Sequence, residues 1–234
     1  CVNESRPGVT SAVLSPGQAV TYLERVGELR DDIAVAGIAG PGDPFANPEE
    51  TLETFAGVRG RFPEMILCLS TNGLGLTEAY VDALAELGVS HVTLTINAVD
   101  PDIAARVYGW IRHGKRVLRG RAAGEVMVER QLEALGWIKR RGLVAKVNGI
   151  LLPGVNDAHL PEVARRAAEL GADLMNCVPL IPTKKTAFEA LPEPSAEMRR
   201  EARRACRVSL PQMTHCARCR ADAIGRLGEP MTEE

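Results

Sequence analysis

No stretch of this chain stays apolar for anything near the roughly 18 residues that a bilayer-spanning helix needs. Nothing at its front reads as a signal peptide, so the expectation is a cytoplasmic protein with no membrane partner. Charge of one sign is lacking too. Lys and Arg number 28 against 30 Asp and Glu, a formal net charge of −2. That balance gives no broad basic footprint for nucleic acid, although Arg199-Arg200 and Arg203-Arg204 form short basic runs. Cysteine is present but sparse. Six in 234 residues of a non-secreted chain do not make a disulfide framework. What remains is ordinary globular composition, 45% hydrophobic and 25% charged, enough for one sizeable α/β core. The chain opens on Cys1 rather than Met, and the expectation is a fragment.

Three segments share one grammar, an amphipathic helix ending at Gly and then a β-branched apolar run. They are Glu86-Leu87-Gly88 into 91–96, Arg140-Arg141-Gly142 into 144–152, and Glu169-Leu170-Gly171 into 174–181. Gly just past a helix supplies a left-handed cap, and the apolar run predicts a strand buried on both faces. Residues 33–38 and 65–69 predict two earlier strands. Val128, Leu132, Leu135 and Ile138 fall at helical spacing, and Ser15-Pro16 and Thr77-Glu78 are helix starts. Alternating β and α predicts a parallel sheet with right-handed crossovers. Five strands do not close an eight-stranded barrel. A partial barrel lacking its first strand and a flavodoxin-like open sheet both fit. From about Leu191 the grammar stops, and a Pro- and Arg-rich helical tail carries Cys206, Cys216 and Cys219. The predicted division is a barrel over 1–190 and a cysteine-bearing tail over 191–234.

In parallel α/β folds ligands gather at the carboxyl ends of the strands. Those ends here are the turn Gly37 to Pro44, then Ser70-Thr71-Asn72-Gly73, Asn97 to Pro101, and Leu152 to Asp157. Each alone is an ordinary tight loop. Four together describe a polar ligand site rimmed by backbone.

The cysteines divide. Cys177, inside an apolar run, reads as core. Cys68 sits at a strand end where alternation could aim it into a barrel. Cys216-x-x-Cys219 suits a zinc site completed by Cys206 and His215, an iron–sulfur site, or a redox pair, and spacing alone leaves zinc and iron–sulfur even.

The segments Cys1 to Gly8, Gly37 to Pro44, Ser70 to Gly73, Tyr108 to Arg121, Val147 to Asp157, and Leu210 through Cys216-Ala217-Arg218-Cys219-Arg220-Ala221-Asp222 occur in this order. Together they resemble the radical S-adenosylmethionine (SAM) enzymes that mature the nitrogenase cofactor. The resemblance implies a partial (β/α) TIM-like barrel with a helical, cysteine-bearing tail. It implies SAM and 4Fe-4S clusters as cofactors, and a reaction that fuses two such clusters around a carbide taken from the SAM methyl group. It further implies Fe–S cluster donors and nitrogenase cofactor carrier or scaffold proteins as partners. By the same resemblance Gly40, Gly42, Asp43 and Pro44 hold the methionine end of SAM, Ser70, Asn72 and Asn97 meet it at strand ends, and Ile150 and Leu152 flank the adenine. Cys1 and Cys68 are implied as ligands of one substrate cluster, and Cys216 and Cys219 with Cys206 as ligands of the second; soft thiolates suit such clusters. Glu4 and Arg6 are the implied catalytic residues, Glu4 for protons from the methyl group. Lys146 and Lys184 could balance cluster charge.

The C-x-x-x-C-x-x-C loop of radical SAM enzymes is missing from this sequence. Truncation accounts for that, and the expectation is that this chain by itself does not cleave SAM whereas its parent does. Rival readings are a non-catalytic cluster carrier, a zinc-stabilised module, and a barrel lyase with Lys146 or Lys184 as Schiff-base nucleophile.

Overall fold

The computed structural model describes residues 14–40 and 42–213. Helix α1 (Pro16–Leu29) opens on a capping box, in which the Ser15 hydroxyl accepts from the Gln18 amide and the Gln18 side chain answers the Ser15 amide. There follow β1 (Val35–Ile38), a 3-10 turn at Pro44–Ala46, α2 (Pro48–Arg61), β2 (Ile66–Thr71) and α3 (Glu78–Glu86), the last capped by Thr77. Next come β3 (Val89–Thr95), α4 (Pro101–Val107), β4 (Trp110–His113), β5 (Arg116–Arg119) and α5 (Gly120–Arg140). The chain continues through β6 (Val144–Leu151), α6 (Leu160–Glu169), β7 (Leu174–Pro179) and α7 (Ala196–Arg207).

Five strands pair in the order β1-β2-β3-β6-β7, every pair parallel. An open doubly wound sheet reverses its strand order at a switch point. This one never reverses, which is the winding of a partial barrel. The helix caps at Gly88, Gly142 and Gly171 have φ of +73°, +71° and +86°, the left-handed turn their position predicts. One apolar cluster fills the space between sheet and helices. Leu67, Leu69, Val92, Leu94, Val147 and Met175 meet Phe55 and Val58 of α2, Val81 and Leu84 of α3, Leu135 and Ile138 of α5, and Val163 of α6. Helix α5 lies on α4 so closely that a Cβ at Gly124 would stand 2.0 Å from the Pro101 carbonyl oxygen. Among the described residues no helix is long and apolar enough to cross a membrane.

Several features differ from the sequence expectation, beyond shifts of one or two residues at the ends of β1, β3 and β6. Strand β2 runs to Thr71 rather than Leu69, because Ser70 and Thr71 pair with Thr93 and Leu94 of β3, and the Thr71 hydroxyl is tied to Asp43 across the strand ends. Strand β7 stops at Pro179, whose ring nitrogen has no hydrogen to donate to a ladder. The basic segment after α4 forms an antiparallel hairpin, β4–β5, outside the main sheet. Helix α7, from the segment expected as tail, packs on β7 and α6, with Ala202, Cys206 and Leu210 in the main core cluster. Past it, Gln212 bridges to Met175 in parallel fashion at the β7 edge.

Candidate active site

Side chains of the sheet alternate between the helix-covered face and the inner face of the partial barrel. Residues 67, 69 and 71 of β2 are buried under helices, so Cys68 and Ser70 face inward and stay half-buried. Register carries that inner face across the sheet. Gly37 pairs with Cys68, Ser70 with Thr93, Thr93 with Lys146, and Asn148 with Asn176. The floor of the barrel is therefore polar. A Cβ at Gly37 would come within 2.7 Å of the Cys68 thiol sulfur, so any side chain there would displace the thiol. Burial pushes the Cys68 thiol up from its ordinary value, and the positive charge of Lys146 pulls it partly back. Asn148 and Asn176 each carry a buried side-chain oxygen with no hydrogen-bond partner among the described residues, and Asn176 is 1% exposed. Buried acceptors are seldom left without a donor, and a ligand that supplies one fits this floor.

The first strand end is held from beneath. Gly40 and Gly42 are exposed at φ of +46° and +97°, a backbone that side chains resist. Asp43 anchors the turn. Its carboxylate accepts from the Phe45 amide at 3.0 Å, the Asn72 amide at 2.6 Å and the Thr71 hydroxyl at 2.9 Å. Burial nevertheless raises its pKa, outweighing those three hydrogen bonds. Pro44 is buried, its carbonyl accepting from the Thr51 hydroxyl. Asp43 and Pro44 thus shape the turn, while Gly40 and Gly42 offer open backbone to a ligand.

The third and fourth ends are locked together by two asparagines. Asn97, 1% exposed, accepts the Ile150 amide at 2.9 Å and donates to the Tyr108 hydroxyl at 3.1 Å. Asn156 donates to the Asn97 and Ile150 carbonyls, each at 2.9 Å, and accepts the Leu152 amide at 2.8 Å. Asn72 spends its side-chain oxygen on the Leu74 amide. Gln131 of α5, wholly buried, joins the strand ends by donating to the Asn72 and Thr95 carbonyls. Ile150 and Leu152 belong to an apolar cluster with Val107, Leu180 and Phe188. Ser70 alone among the three strand-end polar residues keeps a half-buried side chain with no hydrogen bond among the described residues.

His159 also closes this rim, its ring Nε2 accepting the Val99 amide at 3.1 Å. That bond requires neutral imidazole. Burial lowers the His159 pKa, and the carboxylates of Asp100 and Glu162 restore only part of it. The folded state thus resists protonation, so its contribution to stability is present above the ordinary value of 6.5 and is lost as pH falls below it through the folded value. Urea unfolding of the chain and of His159→Gln at pH 7.5 and 5.5 measures this. The variant is expected to lose less stability on acidification, and equal losses would remove His159 as the cause.

The cysteines separate by face. Cys206 and Cys177 place their sulfurs 3.6 Å apart on the helix-covered face, 0% and 2% exposed. Contact with Cys177 and then burial push the Cys206 thiol well above its usual range, so it stays protonated there. It faces away from Cys68, and its expected cluster partners Cys216 and Cys219 lie outside the described residues. Cys177 is core, as its apolar setting predicts. Lys146 lies on the inner face and Lys184 is exposed. Cys1, Glu4, Arg6, His215, Cys216 and Cys219 lie outside the described residues. Among the described residues no group of three or more His, Cys, Asp or Glu side chains converges as a metal site. Gln131, His159, Asn148, Asn156 and Asn176 escaped sequence reasoning as individual residues. None of them carries a motif of its own, although Asn148 and Asn156 fall in the Val147 to Asp157 segment that the sequence singled out.

The family model of the Radical SAM superfamily matches residues 1–167. The FeMo cofactor biosynthesis protein NifB of Chlorobaculum tepidum is 55% identical over 234 residues, covering 100% of this chain and 55% of its own length. The protein of the same name from Klebsiella pneumoniae is 45% identical over 238 residues, covering 100% of this chain and 51% of its own. The chain therefore spans about half the length of the curated relatives it matches. SuiB of Streptococcus suis, bound to S-adenosylmethionine, superposes with a TM-score of 0.64 at 12% identity, over 89% of this chain and 46% of its own. Methylornithine synthase (PylB) gives 0.61 at 16% identity, over 87% and 55%. Both share the partial-barrel fold. The chain belongs to the Radical SAM superfamily, with NifB cofactor-biosynthesis proteins among its relatives.

Proposed function

We propose that this chain is the barrel body of an iron–sulfur cluster maturase that makes the eight-iron precursor of the nitrogenase cofactor. The observation that carries the reading is the inner face, where the Cys68 thiol lies against bare Gly37 backbone, near the Lys146 charge, above a floor with two unpartnered asparagine oxygens. Bound SAM would supply the methyl carbon, and a reduced 4Fe-4S cluster, whose C-x-x-x-C-x-x-C loop is missing from this sequence, would supply the electron that cleaves it. The substrate is a pair of 4Fe-4S clusters, fused around a carbide from that methyl group.

This chain's own residues then have distinct tasks. The Gly40–Gly42 backbone, held from below by Asp43, receives the amino-acid end of SAM, and the Ser70 hydroxyl faces the same cavity. Asn97, committed to β6 and Tyr108, positions the strand ends and so acts on the ligand only through them. Ile150 and Leu152 set the apolar wall. Cys68 ligates one substrate cluster as its thiolate, with Cys1 as its partner, and Lys146 offsets the negative charge that cluster brings. Cys216 and Cys219 take the second cluster. Glu4 takes protons released from the methyl group, and Arg6 lines the same site. Cluster donors and cofactor carrier or scaffold proteins exchange material at the barrel mouth.

Anaerobic iron–sulfide reconstitution of the chain, with bound iron and the reduced EPR spectrum as readouts, tests this. Cys68→Ala is expected to lose one cluster signal and Cys216→Ala/Cys219→Ala a different one. Zinc retained in place of iron, or iron uptake indifferent to Cys68, would sink the assignment.

A further inference from the structure

The hairpin β4–β5 stands beside the mouth of the barrel, in contact with the loop that follows β2. Its underside is apolar. Ile111, 5% exposed, and Leu118 pack with Leu74, Ala123 and Met127. Pairing of Trp110 with Arg119 and of Arg112 with Val117 places these four on the opposite face. All four are exposed, Trp110 by 56% and Val117 by 52%. The result is a checkerboard, with an aromatic and an aliphatic side chain on one diagonal and two guanidinium groups on the other. Lys115 and Arg116 add positive charge at the tip. No Asp or Glu occurs from Tyr108 to Gly124. Among the described residues none of Arg112, Lys115, Arg116 and Arg119 is ion-paired, whereas nearby Arg121 is held by Asp102 and Glu125.

We propose that this outer face docks a protein that presents carboxylates around an apolar patch. Exposed Trp and Arg are the residues that dominate protein interfaces, since they combine buried area with directional bonds to carboxylates. A whole-chain charge of −2 offers no extended positive field for a nucleic acid, so the attraction here is local and suits a partner with a matching acidic patch. Aliphatic Val117 and the face of Trp110 require apolar contact that a phosphate backbone does not return. The surface is argued from the hairpin alone and stands whichever chemistry runs in the barrel beneath it.

The test uses the full chain and fluorescein-labelled probes read by anisotropy. One probe is a short peptide alternating Glu with Leu, and a second replaces its leucines by serines. A single-stranded DNA oligonucleotide and phosphatidylglycerol vesicles are further arms. The Glu-Leu peptide is expected to bind more tightly than the Glu-Ser peptide, and more weakly as salt rises. Arg112→Ser/Arg119→Ser should weaken it about tenfold and Trp110→Ser about fivefold. Arg199→Ser/Arg200→Ser, which removes two exposed arginines from α7, should leave it within about twofold. Circular dichroism establishes that each variant keeps the fold. Binding indifferent to the hairpin variants, or equal for both peptides, overturns the proposal. So does tighter hairpin-dependent binding of the DNA or of the vesicles.

Discussion

Asn156→Ala is expected to lower the folding free energy by about 4 kcal/mol, read as a drop in the urea midpoint with little change in slope. The side chain is 1% exposed and serves three backbone groups at once, the Leu152 amide and the Asn97 and Ile150 carbonyls. Alanine leaves all three without that partner in a place water reaches poorly, and each such loss costs on the order of 1–3 kcal/mol. The damage should stay near the mouth of β3 and β6, because both carbonyls belong to those strand ends. Asn156→Asp makes a sharper comparison. Its carboxylate still accepts the Leu152 amide but opposes two carbonyl oxygens, so it should be at least as unstable at pH 7. Protonation restores a donor, and the deficit should therefore shrink as pH falls through the carboxyl range. A loss under about 1 kcal/mol for Asn156→Ala would mean that water replaces the side chain and that the rim is not dry.

Asp43 is the second position with a large expected effect, and it separates shape from charge. Its pKa is raised by burial, so the ionised carboxylate is no net electrostatic gain to the fold. What it supplies is geometry, three acceptor contacts that fix the turn after β1 to the end of β2. Asp43→Asn keeps one acceptor and turns an NH2 group toward backbone amides, at a cost of about 2 kcal/mol. Asp43→Ala removes every contact and should cost about 3 kcal/mol. If the Gly40–Gly42 backbone receives SAM, both variants should also bind SAM at least about tenfold more weakly by calorimetry, since a mobile turn must be ordered on binding. Lost stability with unchanged SAM affinity would make the turn purely structural and move the ligand toward Ser70 and the asparagine floor.

The two variants also mark how legible the site was. The turn around Asp43 and the loop around Asn156 stand out in the sequence as Gly-, Pro- and Asn-rich strand ends. Asn97 and Asp43 read there as ligand contacts, and the structure shows both engaged with backbone and neighbouring side chains. A polar residue at a strand end looks the same in sequence whether it meets a ligand or ties two loops together. Only the distances show that a residue such as Asn97 ties the loops together. Cys68 is the opposite case. Alternation along β2 offered the inner face as one reading of Cys68, beside a place in the core, and the buried residues 67, 69 and 71 put it on the inner face.

Local pattern was enough for the five strands, the glycine caps, the helix starts at Ser15 and Thr77, and the core face of α5, because each is a short-range property of spacing and backbone preference. The choice of a partial barrel over an open sheet turned on strand order, which periodicity does not encode. The pairing of Cys206 with Cys177 joins residues 29 apart, and Gln131 reaches carbonyls 36 and 59 positions away. Such contacts form only once the sheet is wound and the helices are laid on it, so tertiary structure alone decided them. The unpartnered oxygens of Asn148 and Asn176 are of the same kind. Sequence shows that an asparagine is there, and only the surrounding packing shows that nothing in the described fold meets its oxygen.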